Sequence, residues 1–173
     1  MDAYESILTK LDVRDFSKKR VPGEIRRKIL EAARLTGSSM NSQHWRFILI
    51  QDRSNLEKLA EDSTSGKWVA TADFAVLILV NPKIPGYTID GGRALQDMEL
   101  AAWNFGVVSR LFTGVKQKEI RGDFAIPPEL EISGVLGFGY PRRKVLGRKN
   151  RKPIEDIVFL ERYGNRFDPK NLE

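Results

Sequence analysis

The feature that most restricts the fold of this chain is an unbroken apolar run, FAVLILV, at positions 74–80. A run of this length with several β-branched residues is typical of a central strand that is buried on both faces. Asn81 and Pro82 follow it, and proline cannot donate a hydrogen bond to a neighbouring strand. The run is also far too short to cross a lipid bilayer. We therefore predict a folded domain built around this strand, with no membrane segment.

The spacing of apolar residues predicts two more strands and four helices along the rest of the chain. Helices and strands interleave without a regular βαβ repeat, which indicates an α+β or mixed α/β fold. No repeat and no Pro/Gly/Ser-rich linker divides the sequence, so residues 1–173 are predicted to form one domain. The further strands are 46–51 and 133–140; the helices are 4–11, 22–33, 56–60 and 95–105; and residues 153–173 form a short helix or turn and a polar tail.

The predicted helix 95–105 is apolar on nearly every side. Leu95, Met98 and Ala102 recur at intervals of three or four, while Leu100 and Trp103 occupy the other side. A helix of this kind is buried either in the core of its own domain or in a subunit interface. Its spacing alone does not choose between the two.

The composition excludes several kinds of site. The chain has no cysteine, so disulfides, thiolate metal sites and a cysteine nucleophile are excluded together. His44 is the only histidine, so a multi-histidine metal site is excluded and a Ser-His-Asp triad would have to use this residue. The first ten residues, MDAYESILTK, contain acids and no apolar segment of signal-peptide length. A cytoplasmic protein is the default expectation.

The formal net charge is +6, and many of the cations lie in one basic loop, residues 142–152. Such a loop is either a solvated surface or a site for a phosphate group. The charge pattern disfavours nucleic acid as a partner, because the cations are not interleaved with aromatic residues in a known binding motif. The GxG at 137–139 is not a dinucleotide fingerprint, since Arg142 stands where that motif needs glycine.

A polar segment, SSMNSQHWRF at positions 38–47, stands directly before the apolar run Ile48–Ile50. Serine and asparagine side chains at such a place often bond to nearby backbone groups in a turn. They could equally face a ligand. Trp45 and Phe47 alternate as the core residues of a strand do.

Five segments in order along the chain resemble the nitroreductase family of FMN-dependent oxidoreductases. The family patterns are approximately RRSxRxF, APSxxNxQPWxF, a DGxAxQNxxLAA helix that ends in glycine, a GxP strand end and a C-terminal KxRxP. The corresponding segments are KLDVRDF at 10–16, TGSSMNSQHWRF at 36–47, DGGRALQDMELAA at 90–102 before Gly106, GYP at 139–141 and KNRKP at 149–153. The resemblance extends from about residue 4 to residue 160.

The resemblance implies an FMN site and assigns a role to each residue in it. Cations would hold the phosphate, Arg14 would approach the ribityl chain and the pyrimidine edge of the flavin, and polar residues would line the ring. A backbone N–H near Thr113 and Gly114 would reach flavin N5, and no side chain is implied as a catalytic acid or base. The implied cofactor-binding residues are Lys10, Asp12, Arg14, Ser38, Ser39, Asn41, Lys67, Thr113, Gly114, Arg148, Lys149 and Arg151.

The same resemblance implies the fold, the activity and the oligomeric state. It implies a central, mainly antiparallel sheet flanked by helices, in an interlocked homodimer with FMN at the subunit interface. NADH or NADPH would reduce the flavin, which would then reduce a small nitroaromatic, quinone or similar acceptor by a ping-pong mechanism. The alternatives are another reaction on the same flavin fold, such as an oxidase, dehalogenase or flavin-processing activity, or a basic nucleic-acid-binding module.

The chain departs from the family pattern at several positions. Asp12 stands where the family has serine, so it either pairs with a cation such as Arg14 or the phosphate is held differently. Leu11 replaces a second basic residue, and Gly37 and His44 replace prolines. Only the loop 81–89 is available where some family members carry an inserted helical segment. The substrate side of the pocket is therefore the least defined part.

Overall fold

The computed structural model describes residues 2–172 and contains a four-stranded sheet with five helices. The strands are ordered β1-β2-β4-β3, and every neighbouring pair is antiparallel. The elements are α1 Ala3–Thr9, α2 Gly23–Leu35, β1 Arg46–Ile50, α3 Arg53–Glu61, β2 Phe74–Val80, α4 Tyr87–Asn104, β3 Val108–Phe112, α5 Gln117–Asp123 and β4 Glu131–Gly139. The predicted mixed α/β fold with an antiparallel sheet is confirmed.

Strand β2 occupies the middle of the sheet, as its apolar sequence predicts. All seven of its residues are buried, and it pairs with β1 on one side and β4 on the other. Phe74 lies opposite Phe138 of β4, and their rings stack with centroids 4.8 Å apart. A register shift between Ile78 and Leu79 interrupts the pairing with β4. The bounds predicted for β2 agree with the structure.

Alternate residues of β2 face two separate cores, one on each side of the sheet. Val76 and Ile78 pack in the core that α4 supplies with Met98 and Ala102. Leu77 and Leu79 pack in the opposite core, which is covered by α3 and α5. The sheet is thus covered by helices on both faces, which explains why β2 has no polar residue.

Helix α4 starts earlier than its apolar spacing predicts. Gly86 precedes its first residue and has a φ of +78°, a conformation that glycine adopts without steric cost. The helix therefore includes Asp90, Gly91 and Gly92, and the loop after β2 is only residues 81–86. Gly91 is needed where α4 crosses the sheet, since a Cβ there would lie 2.3 Å from Ser133 Oγ. Leu100 and Trp103 are half-buried on the side of α4 away from this contact.

Two elements are absent from the sequence prediction. Strand β3 pairs with β4 at the edge of the sheet, and α5 follows it after a short loop. Thr113 and Gly114, expected in a loop directly after the buried helix, therefore follow this edge strand instead. Among the described residues, no helix is long and apolar enough to cross a membrane.

Candidate functional site

The structure brings the N-terminal and C-terminal basic segments together around one cavity of about 460 Å³. This basic cavity lies between the segment that follows α1, helix α4, strand β3 and the loop 148–151. The segment 10–12 and the loop 148–151 are nearly 140 residues apart in sequence, so only the fold can bring them together. The lining residues are Lys10, Leu11, Asp12, Gln96, Glu99, Leu111, Arg148, Lys149, Asn150 and Arg151.

Lys10 contacts two carboxylates at the floor of the basic cavity. Its Nζ lies 2.6 Å from Asp12 Oδ1 and 2.8 Å from Glu99 Oε1, and its side chain is only 10% exposed. Ser109 of β3 donates a hydrogen bond to the same Glu99 oxygen at 3.0 Å. Asp12 therefore pairs with a cation, which is one of the two predicted alternatives, but that cation is Lys10 and not Arg14. Arg14 is exposed and has no ion-pair partner within the described residues.

The three C-terminal cations differ from Lys10 in their surroundings. Lys149 is half-buried and donates a hydrogen bond to the carbonyl oxygen of Ile7 at the end of α1. Arg151 is exposed and donates to the carbonyl oxygen of Asn150 at 2.8 Å. Along residues 2–172, neither they nor Arg148 forms an ion pair with a carboxylate. Their positive charge is therefore available to an anion in the basic cavity.

Strand β3 connects this cavity to the segment that contains Thr113 and Gly114. Ser109 and Leu111 share one face of the strand, because side chains alternate along it, and Thr113 follows its last residue. Gly114 lies against the loop before the 3-10 turn Lys67–Thr71: its carbonyl oxygen accepts from Thr64 N–H at 2.8 Å, and a Cβ on it would lie 2.5 Å from Thr64 Oγ1. A Cβ on Gly66 would lie 2.5 Å from Phe112 Cδ2, so the backbone next to Lys67 also lies against the end of β3.

Ser38, Ser39 and Asn41 lie in a different place from the basic cavity. They belong to a turn, residues 38–43, in which three residues other than glycine have positive φ: Met40 at 52°, Asn41 at 54° and Gln43 at 48°. The N–H of Ser39 donates to Asp90 Oδ2 at 2.8 Å. Asn41 is exposed and the two serines are half-buried.

Helix α4 separates this turn from the basic cavity. Asp90 contacts the turn and Glu99 contacts Lys10, nine residues later. Nine residues make two and a half helical turns and rise about 13 Å, so the two side chains leave opposite flanks of the helix. Asp97 bonds to Thr36 on the flank of Asp90, and Trp103 Nε1 donates to Thr9 Oγ1 on the flank of Glu99. Within one chain, the predicted site is thus divided into two parts.

His44, which stands at a proline position of the family pattern, has a defined place in the structure. Its side chain is 4% exposed, and Nε2 lies 3.1 Å from Asp90 Oδ2. On the other side of the ring, Nδ1 accepts a hydrogen bond from the backbone N–H of Asn81 at 3.1 Å. Burial by itself raises the pKa of Asp90, but the bonds from Ser39 N–H and His44, with the charge of Arg93, bring that pKa below its ordinary value.

Sequence reasoning did not assign a role to Asp90 or Glu99. Both are buried acids in a helix whose other buried residues are mainly apolar, and such an exception is itself a signal that a partner exists. Ser109 was missed with the strand that carries it. Gln96 reaches the basic cavity one helical turn before Glu99.

Comparison with known proteins places the chain among relatives of the same architecture. The family model for the Nitroreductase family matches residues 7–83. A protein of Methanothermobacter thermautotrophicus, provisionally named an NADH dehydrogenase/NAD(P)H nitroreductase, is 34% identical over 172 residues, which cover 94% of this chain and 88% of that protein.

Two solved structures share the fold at lower identity. The FMN-dependent nitroreductase of Clostridium difficile R20291 has a TM-score of 0.82 and 22% identity, over 90% of this chain and 96% of that one. A provisionally named nitroreductase from Desulfovibrio desulfuricans, solved in complex with FMN, has a TM-score of 0.84 and 22% identity, over 94% and 98% of the two chains. The sequence match to the Methanothermobacter relative and this shared architecture lead to one conclusion: the chain belongs to the nitroreductase family.

Proposed function

We propose that this chain is an FMN-dependent oxidoreductase that accepts hydride from NADH or NADPH. Small electron-poor molecules, such as nitroaromatics or quinones, would be reduced in the second half of a ping-pong cycle. The observation that carries the proposal is the basic cavity, in which the two predicted phosphate-binding segments meet although they lie at opposite ends of the chain. Family membership and the named activities of the relatives support the same conclusion.

The charges that line the basic cavity fit a flavin phosphate. Four cations and two carboxylates leave a formal excess of two positive charges, and a phosphate monoester carries about 1.5 to 2 negative charges near neutral pH. Because Lys10 already contacts both carboxylates, Arg148, Lys149 and Arg151 would bind the phosphate directly. Lys10 would act by offsetting the charges of Asp12 and Glu99. FMN therefore fits the residues that are present.

Other residues would bind and orient the rest of the cofactor. Bound FMN supplies the ability to accept and return hydride, so the protein needs no catalytic acid of its own. Arg14, exposed and without an ion-pair partner among residues 2–172, can stabilise negative charge at the pyrimidine edge of the ring. Thr113 and Gly114 follow the strand that borders the cavity, and Thr64, three residues before Lys67, donates to the Gly114 carbonyl oxygen. These three would surround the reactive part of the ring.

The division of the site by α4 supports a homodimer with FMN between subunits. One copy would supply the basic cavity, and its partner would supply the turn 38–43 with Ser38, Ser39 and Asn41. The exposed apolar residues of α1, Tyr4, Ile7 and Leu8, are 70%, 48% and 55% exposed in one chain and would be covered in such an assembly. Light scattering of the purified protein tests the stoichiometry directly.

A mixed dimer tests whether the two copies share a site. One chain would carry R148A/K149A/R151A, which removes the cations of the basic cavity. The other chain would carry N41A and S39P, and S39P removes the Ser39 N–H. If each site needs both chains, the mixed dimer retains one intact site and binds one FMN, whereas neither parent homodimer binds. Loss of both sites in the mixed dimer would indicate that each site is built within a single chain.

The absorption spectrum of the purified protein is the first test of the function. We expect the visible bands of oxidised flavin, and mass spectrometry of the released cofactor should give the mass of FMN. Anaerobic mixing with NADH and with NADPH should then bleach those bands, and a panel of nitroaromatics, quinones and oxygen should restore them at different rates. Protein that contains no flavin and cannot bind added FMN would overturn the proposal. Fast reoxidation by oxygen alone would favour an oxidase on the same fold.

A further inference from the structure

His44 makes two hydrogen bonds that together determine where its proton lies. The Asn81 N–H can only donate, so Nδ1, at 3.1 Å, must present a lone pair. The ring proton is therefore on Nε2, which faces Asp90 Oδ2 at 3.1 Å and donates to it. An imidazolium ring would direct a second N–H toward the Asn81 N–H, so the arrangement requires the neutral Nε2–H form.

The same carboxylate oxygen also holds the turn that contains the predicted flavin-facing residues. Asp90 Oδ2 accepts from His44 Nε2 and from the Ser39 N–H, at 3.1 and 2.8 Å. Within the turn, Gln43 N–H donates to Ser38 Oγ at 3.0 Å and Asn41 N–H donates to the Ser38 carbonyl oxygen at 3.0 Å. The bond from the Ser39 N–H to Asp90 links the turn to α4, whereas the bonds of Gln43 and Asn41 to Ser38 lie within the turn.

The backbone of this turn needs such an external contact. Met40, Asn41 and Gln43 all have positive φ; asparagine tolerates that conformation, but Met40 and Gln43 keep it only where the surroundings enforce it. Asp90 can enforce it only if its own side chain is held in place. His44 does this by bonding to Asp90 on one side and to the end of β2 on the other. A proline at position 44, which the family pattern has, could make neither bond.

We infer that His44 is a positioning residue, which fixes Asp90 and through it the turn 38–43 that faces the cofactor. Because its side chain is only 4% exposed, His44 itself would touch neither the cofactor nor the substrate. It determines whether Ser39 and Asn41 are already in the geometry that binds flavin before the flavin arrives, which lowers the entropic cost of binding. This inference rests on the proposed function for its consequence, although the hydrogen-bond geometry stands without it.

The proton position can be measured without any variant, because His44 is the only histidine in the chain. Nitrogen-15 labelling of histidine gives two ring signals whose shifts and couplings distinguish a protonated from an unprotonated nitrogen. At pH 7 we expect a protonated Nε2 and an unprotonated Nδ1. A protonated Nδ1, in either the neutral or the charged ring, would overturn the inference.

Two substitutions separate the two ring nitrogens. H44Q places an amide nitrogen near the position of Nε2 and can keep the bond to Asp90; H44N places an oxygen near Nδ1 and can keep only the bond to Asn81. H44N loses the bond to the Asp90 carboxylate and H44Q loses the bond that pairs the Asn81 N–H, so both variants should lose thermal stability. The Ser39 amide proton should exchange faster with solvent in H44N than in H44Q. Equal exchange in the two variants would contradict the positioning role.

Binding of FMN provides the functional readout. We expect the FMN dissociation constant to rise about tenfold in H44N, since a bond to a charged group is lost, and to stay within about threefold of the parent value in H44Q. D52N, an exposed acid that makes no side-chain cap on α3, is the matched control and should change nothing. If FMN affinity follows thermal stability in all variants, the role is merely structural. If the parent chain binds no FMN, the proposed function fails, while the nitrogen shifts and the Ser39 exchange still decide the positioning role.

Discussion

Lys10 and Glu99 form a buried ion pair, with Nζ 2.8 Å from Oε1 and side chains only 10% and 8% exposed. Asp12, the second partner of Lys10, is 59% exposed and stands at the rim of the same cavity. The two acids therefore differ in what they can do. Glu99 stabilises the buried cation, while Asp12 acts mainly as a negative charge beside the predicted phosphate site.

Replacing Asp12 with serine should strengthen FMN binding. Removal of one nearby negative charge in a largely solvated position is worth about 1 kcal/mol, or about fivefold in affinity, and Glu99 remains to pair with Lys10. Riboflavin, which has no phosphate, is the matched ligand and should bind D12S and the parent chain equally. Fluorescence titration measures both, and high salt should reduce the difference. An equal gain for both ligands would show that the charge of Asp12 does not act on the phosphate.

Two adjacent glycines of α4 should respond in opposite ways to alanine. A Cβ on Gly91 would lie 2.3 Å from Ser133 Oγ and 3.0 Å from Val80 Cγ1, so G91A should lower the free energy of unfolding by about 1–3 kcal/mol. A Cβ on Gly92 meets no atom within 4 Å, so G92A should raise it by up to about 1 kcal/mol through helix propensity. Urea unfolding of both variants measures the difference. Similar effects at the two positions would contradict the close packing at Gly91.

Asp73 should be among the most sensitive residues outside the proposed site. Its Oδ2 accepts from Val21 N–H at 2.9 Å and Arg26 at 3.0 Å, and its side chain is 4% exposed. D73A leaves the largely buried Arg26 guanidinium without a counter-charge and the Val21 N–H unpaired, so we expect a loss of about 3–5 kcal/mol. Arg20 also contacts Asp73 but is 66% exposed, so R20A should cost less than about 1 kcal/mol. Chemical unfolding distinguishes the two, and a large loss in R20A would mean that the surface contact matters more than its exposure implies.

Asp62 should make the protein less stable as the pH rises. Burial, followed by the nearby charge of Asp123, raises the pKa of Asp62, and its Oδ2 has no hydrogen-bond partner within the described residues. A carboxyl group with a raised pKa in the folded state binds its proton more tightly there, so it favours folding at low pH. That contribution is lost as the pH rises from the ordinary value near 3.8 through the folded-state pKa.

D62N removes this titration and should therefore stabilise the protein at neutral pH. We expect its Tm to exceed that of the parent by about 2–4 °C at pH 7, with the difference shrinking toward pH 4. D52N, at an exposed position, serves as the control for loss of one negative charge. A difference that stays constant with pH would show that the effect does not come from ionisation of Asp62.

Much of the fold could be predicted from the sequence, and the failures have local causes. Strand β2 was predicted at its true bounds because an apolar run buried on both faces needs no alternation. Strand β3 was missed because Val108–Phe112 contains serine and arginine and lies at the sheet edge, where one face meets the basic cavity. The start of α4 was misplaced because Asp90, Gly91 and Gly92 resemble a turn, whereas tertiary contacts hold them in a helix.

For the candidate site, the sequence predicts several of the residues that line the basic cavity but not which partners hold them in place. The resemblance to the family predicts that Lys10, Lys149 and Arg151 bind one phosphate together, and all three line one cavity in the folded chain. The Lys10–Glu99 ion pair and the His44–Asp90 bond could not be predicted, because each partner in α4 lies 89 or 46 positions away in sequence. Ion pairs and tautomers depend on distances across the fold, which the order of residues does not contain.

Asp90 and Glu99 leave opposite flanks of α4, and this restricts how the chain can change over evolutionary time. Substitutions along α4 alter one contact each, but the insertion or deletion of one residue between positions 90 and 99 would rotate one acid by about 100° relative to the other. Either Ser39 would lose its acceptor or Lys10 would lose its buried partner. We expect homologous chains to vary in the residues of this segment while keeping its length fixed, and length variation to accumulate in the loop 81–86 instead.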